Sequence, residues 1–191
     1  MTFIDPLELR TAPEEIRTVL EHDRDLSLLG VMAHARGTFM PWLDFGTALL
    51  SKLELSPLLR ELAILQVAVL HHGGEYEWAQ HAPLARAAGA TEAQLEALRR
   101  GIFPATEFSA EQALVVRFTS EVVRDGYPSR KARAALLELL GAQQVVELLE
   151  VIGQYMMVAR IVATAGLEPE PPAAVVAATA REAPRADEVA R

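Results

Sequence analysis

The chain has 191 residues, a length that fits one domain with a sizeable core, and its 26 acidic and 18 basic residues give a formal net charge of −8. So acidic a chain, with no basic stripe, is not expected to bind nucleic acid or an anionic membrane. It contains no cysteine, which excludes a disulfide framework, a thiolate metal site and a cysteine nucleophile.

Alanine supplies 32 of the residues and aromatic residues only 6%. Alanine favours helices and lets them approach closely, so the balance points to an all-α fold rather than a sandwich or barrel. The start carries Asp5 and Pro6 where a signal peptide needs a basic and then an apolar run. The apolar stretches around 62–70 and 155–167 are interrupted by Gln66 and Arg160, short of the roughly 18–20 residues of a membrane span. The expectation is a soluble, cytoplasmic protein.

In chain order, residues 1–30 read as an N-terminal helical extension. Pro13, Glu14 and Glu15 open it, and Ile16, Val19 and Leu20 give it a short apolar face that ends near Gly30. A second helix is predicted over about 34–52. The third is the clearest: Ser56-Pro57 is a cap followed by a first-turn proline, and the run to Leu70 is apolar on nearly every side. Such a helix belongs in the centre of a fold. His71-His72-Gly73-Gly74 reads as its stop, with a left-handed glycine and a sharp turn.

A fourth helix is predicted from Glu75 to about Gly89. Thr91-x-x-Gln94 and Ser109-x-x-Gln112 fit capping boxes for helices near 92–100 and 110–125. Two more segments follow, 130–140 up to Gly141 and 143–165. The picture is a single-domain bundle of about seven helices over 31–167. The Pro/Ala-rich stretch 168–191 reads as a disordered tail.

One acid, Glu61, sits inside the apolar central helix, where a lone carboxylate is costly unless paired. Two helical neighbours, Glu77 and His81, share a face of the next helix at i,i+4 spacing. A tight turn between these helices makes them pack antiparallel, which brings Glu61 beside that face. Glu61 then orients His81 as acid/base, and Glu77 is a second proton-transfer group. A solvated i,i+4 pair is the bland alternative. Tyr76, His34, Arg60 and Arg86 are candidates to bind substrate, the arginines as partners for a carboxylate. Gln154 and Tyr155 are candidates to line the same pocket. His71 or His72 with Glu77 and His81 gives a competing metal site, but no recognised spacing supports it, so no metal and no cofactor are assigned.

The run Arg60-Glu61-Leu62-Ala63-Ile64-Leu65, then Glu75-Tyr76-Glu77-Trp78-x-x-His81 and Ala85-Arg86-Ala87-Ala88-Gly89, resembles the carboxymuconolactone decarboxylase family within the alkylhydroperoxidase D-like superfamily. The resemblance is strongest over about 55–100. Peroxidase members carry Cys-x-x-Cys ahead of the histidine; here those positions fall on Gly74 and Glu77. A peroxide-reducing thiolate needs sulfur, so the resemblance is to the non-thiol branch. It implies a cofactor-independent lyase, using Glu/His chemistry on a small lactone or carbonyl acid of the kind met in aromatic-compound metabolism. It also implies a homotrimer or hexamer. The alternatives are a hydrolase or isomerase on a small metabolite, or a non-catalytic oligomeric binding or scaffold protein with the same fold.

Overall fold

The computed structural model describes residues 2–22, 26–72, 74–101 and 106–170. After a short 3-10 turn (Leu9–Thr11) the helices are α1 (Glu14–His22), α2 (Ser27–Met32), α3 (Phe39–Ser51), α4 (Pro57–Leu70), α5 (Glu75–Ala87), α6 (Glu92–Arg100), α7 (Ala110–Asp125) and α8 (Arg130–Ala165). There is no strand among the described residues, and no helix among them is long and apolar enough to cross a membrane. The all-α expectation holds. Most of the tail, 171–191, lies outside the described residues; 168–170 do not.

The central helix is α4. It packs against α5, α7 and α8, and Leu62, Ala63, Ile64, Leu65 and Val67 along it are fully buried. One side of α4 joins Trp78, Leu98 and Val116, and the other joins Phe118, Leu136, Leu148 and Ile152. A helix buried on all sides must be apolar all round, which is why its sequence was so legible. Its start is held as anticipated: the Ser56 hydroxyl accepts from the Leu59 amide, with Pro57 in the first turn. Both capping boxes form, and Gln94 also donates to Gln112, so the starts of α6 and α7 are tied together.

Three local expectations change. The first helix ends at His22, and Gly30 lies inside a separate helix, α2, rather than at a stop. A Cβ at Gly30 would sit 2.5 Å from Pro6, so the glycine permits packing of the N-terminal segment. Of the glycine pair expected to supply a left-handed stop, Gly73 lies outside the described residues and Gly74 is not left-handed: its φ is −64°. It is required by close approach instead, because a Cβ there would meet the Ala68 carbonyl oxygen at 1.8 Å. The expected boundary at Gly141 is a real break within α8, where φ 75° and ψ 172° suit glycine alone.

Gly74 sets how α5 leaves α4, and therefore the spacing between Glu61 and His81. Gly74→Ala is expected to lose roughly 1–3 kcal/mol through overpacking against backbone. Gly37→Ala, where a Cβ meets nothing within 4 Å, is the control. Urea midpoints check this; equal midpoints for the two variants would refute the steric account of the turn.

Candidate active site

Glu61 is fully buried on α4. Its Oε2 accepts from His81 Nδ1 of α5 at 2.8 Å, and its Oε1 accepts from Arg60 Nε at 3.0 Å. Arg60 Nη2 also lies 3.0 Å from Oε1, and Nη1 donates to the Leu50 carbonyl at 2.8 Å. The carboxylate thus has both oxygens occupied, each by a donor. A carboxylate on Nδ1 places the neutral imidazole's hydrogen there and leaves the Nε2 lone pair for whatever His81 faces. The antiparallel turn does bring Glu61 to the Glu77/His81 face.

His81 faces a partly open cavity of about 170 Å³ between α2, α3, α5 and α8. Leu26, Leu28, Trp42, Leu43, Leu84 and Val158 make its apolar walls, and Tyr76, Glu77, Gln80, His81, Thr47 and Gln154 bring polar groups to it. Tyr155 stands edge-on to His81 with ring centroids 4.7 Å apart, fixing the imidazole plane from α8.

Glu77 shares the cavity but none of the pairing. Only 2% of it is exposed, and neither carboxyl oxygen has a hydrogen-bond partner among the described residues. Burial pushes its pKa up from 4.5 to about 7, against smaller opposing effects of its own nearby backbone amide and of His81. Two carboxyl groups one helix apart therefore differ in environment: Glu61 is saturated by donors, and Glu77 is dry and unpaired. Such a separation is what acid–base chemistry at neutral pH requires.

The same burial has a thermodynamic signature. Between pH 4.5 and about 7 the unfolded chain has released the Glu77 proton that the folded chain keeps. Stability therefore falls as pH rises through this window, and the penalty is complete above pH 7. Glu77→Gln is expected to be stabilising by about 2–3 kcal/mol above pH 7 and nearly neutral below pH 4.5. Denaturant titrations at both ends of the range check it; a pH-independent difference would contradict the raised pKa.

The remaining sequence candidates separate. Tyr76, Gln154 and Tyr155 line the cavity. His34 does not: it is exposed, and its Nε2 pairs with the Asp5 carbonyl at 2.9 Å. Arg86 is on the surface, paired with Glu92 through Nε and Nη2. Arg60 reaches the site only through Glu61. His71 is half-buried at the end of α4 and His72 is exposed, and neither lines the cavity. No group of three His, Asp or Glu side chains among the described residues is placed to hold a metal ion.

One polar group of the cavity on α5, Gln80, was missed. Gln80 lies one turn beyond Tyr76 on α5, so helical periodicity alone could have found it. Residues of the N-terminal extension, Leu26, Leu28 and Leu29, also wall the cavity, although that extension shows no resemblance to the family.

Residues 36–118 match the carboxymuconolactone decarboxylase family. That region contains α3 to α6 and most of α7, with Glu61, Glu77 and His81. The matched stretch is 83 of the 191 residues. A crystal structure of an uncharacterized peroxidase-related protein from Ralstonia eutropha, with the alkylhydroperoxidase AhpD core, superposes with a TM-score of 0.72. The match covers 91% of this chain and 95% of that one at 16% identity. At that identity the likeness establishes the shared alkylhydroperoxidase D-like fold. No curated protein matches the chain significantly by sequence. At the two positions aligned with the superfamily's thiols, Gly74 has no room for a side chain and Glu77 presents a carboxyl group to the cavity.

Proposed function

We propose that this chain is a cofactor-independent acid–base enzyme, a lyase of the carboxymuconolactone decarboxylase kind, acting on a small lactone or carbonyl acid. The observation that carries the reading is the pairing of opposites in one cavity: an imidazole oriented by a saturated carboxylate, beside a carboxyl group that keeps its proton to about pH 7.

In a decarboxylation, the C–C bond to the substrate carboxylate breaks and its electron pair passes into the conjugated carbonyl system. Glu77 donates its proton to the carbon or oxygen where that pair settles. His81 Nε2 accepts a proton from solvent and passes it to Glu77, so the site regains its starting state with one solvent proton consumed per CO2 released. General acid–base assistance contributes about 10²–10⁴-fold, and the apolar walls add positioning and exclude water. With no cysteine in the chain, thiolate chemistry has no nucleophile here.

Small lactone carboxylates and keto acids, incubated with the full chain in D2O and followed by NMR, test the reading. The expected result is a product carrying one solvent deuteron where the carboxylate was lost, or exchange at the adjacent carbon. Absence of both product and exchange across the whole panel would contradict it. Self-association as a homotrimer or hexamer belongs to the same proposal, supported by apolar side chains exposed along α8, among them Val146, Leu149 and Met157.

A further inference from the structure

An acid substrate needs a partner for its carboxylate, yet among the described residues no arginine or lysine lines the cavity. A carboxylate is nevertheless bound at its edge, and it comes from the chain itself. Glu170, four residues beyond the glycine that ends α8, accepts through Oε1 from the Ser27 amide at 2.9 Å and from the Ser27 hydroxyl. Its Oε2 accepts from Gln80 Nε2 at 3.1 Å. Since a carboxylate can only accept, the Gln80 amide must present its nitrogen to it.

The groups around Glu170 are not satisfied by it. Tyr76 is 3% exposed and Gln80 is 5% exposed. The Tyr76 hydroxyl stands close to Glu170, Ser27 and the Leu28 backbone without settling into a well-formed hydrogen bond with any of them, and Gln80 Oε1 is unpartnered. Buried polar atoms of this kind are seldom left open. Tyr76 and Gln80 both face the cavity that holds Glu77 and His81. Donors for an anion thus stand at one end of the cavity and proton-transfer groups in its wall.

We infer that Ser27, Tyr76 and Gln80 form the carboxylate-binding subsite of the cavity, and that Glu170 occupies it as an internal competitor which an incoming carboxylic acid must displace. The inference rests on the cavity being a ligand site, as proposed above, and supplies the anchor that Arg60 and Arg86 do not. Pro169 precedes Glu170 and restricts the backbone that presents it. A carboxylate tethered this closely competes at a millimolar effective concentration. Affinity for a free acid is multiplied by the fraction of molecules whose subsite is open, and so is lowered by the internal competitor.

The Ser27 amide reports the occupant directly. In 15N-labelled full chain carrying Glu170→Ala, its proton resonance is expected to move upfield on losing a charged acceptor. Levulinate, a small keto acid, should move it back, binding about 10-fold more tightly than to the unsubstituted chain. Levulinamide, which lacks the charge, should not restore the shift. Glu170→Gln keeps the shape of the strap and should give a smaller gain in the same direction. Equal levulinate affinity with and without Glu170 overturns the inference. So does equal restoration by the amide, or binding that leaves Ser27 unmoved. His81→Ala should retain acid-selective binding, so loss of turnover and loss of the subsite are read separately.

Discussion

Replacing His81 with alanine is expected to lower turnover of a responsive lactone or keto acid by about 10²–10⁴-fold, the range of general acid–base assistance. The protein should remain folded, because His81 sits at the cavity wall and its removal mainly opens space there. Its loss does remove one donor from the buried Glu61, but Arg60 still pairs with the other oxygen. Steady-state kinetics alongside a thermal melt check both halves. Unchanged kcat/KM in a folded variant would show that the imidazole takes no part in the reaction.

The second large effect is expected from Glu61→Gln, and its cause is hydrogen-bond direction. Arg60 has only donors to offer, so the amide oxygen of the substituted side chain must take the side Arg60 occupies. The amide NH2 then faces His81 Nδ1 and donates to it. That reverses the tautomer: the hydrogen moves to Nε2, and the base is no longer available in the cavity. A loss of about 10²–10⁴ in kcat is expected with little change in fold, as when the carboxylate of a Ser-His-Asp triad becomes an amide. Long-range 1H–15N NMR correlations of the neutral ring give the tautomer without a substrate. They should show Nδ1–H in the unsubstituted chain and Nε2–H in Glu61→Gln. Glu61→Ala should act differently, leaving Arg60 without its partner and costing about 3–5 kcal/mol.

Much of this site was legible in the sequence because it depends on short-range rules. Glu61 stood out as an acid in an otherwise apolar helix, and burial made it significant. Glu77 and His81 share a face through i,i+4 spacing, and the tight turn at Gly74 brought the two helices together. The caps of α4, α6 and α7 were readable for the same reason.

What was not legible depends on long-range placement. Nothing local distinguishes Arg86, whose ion pair with Glu92 holds it at the surface, from a carboxylate anchor. His34 likewise shows no sign in sequence that Asp5 takes its ring. Glu170 lies 143 positions from Ser27 and 90 from Gln80, in a stretch whose composition reads as tail. Its contacts follow from where α8 ends, which no periodicity encodes. Helix α2 was missed because its six residues are too few to display a period.

The ionisation of Glu77 tests the account most directly, since both proton delivery and the division of labour with His81 depend on it. A 13C NMR titration of the Glu77 side-chain carboxyl in the full, unliganded chain measures it. The account expects a midpoint near pH 7, which leaves a proton donor in the cavity at neutral pH. A midpoint at the ordinary 4.5 would place a carboxylate there instead and contradict the acid–base assignment.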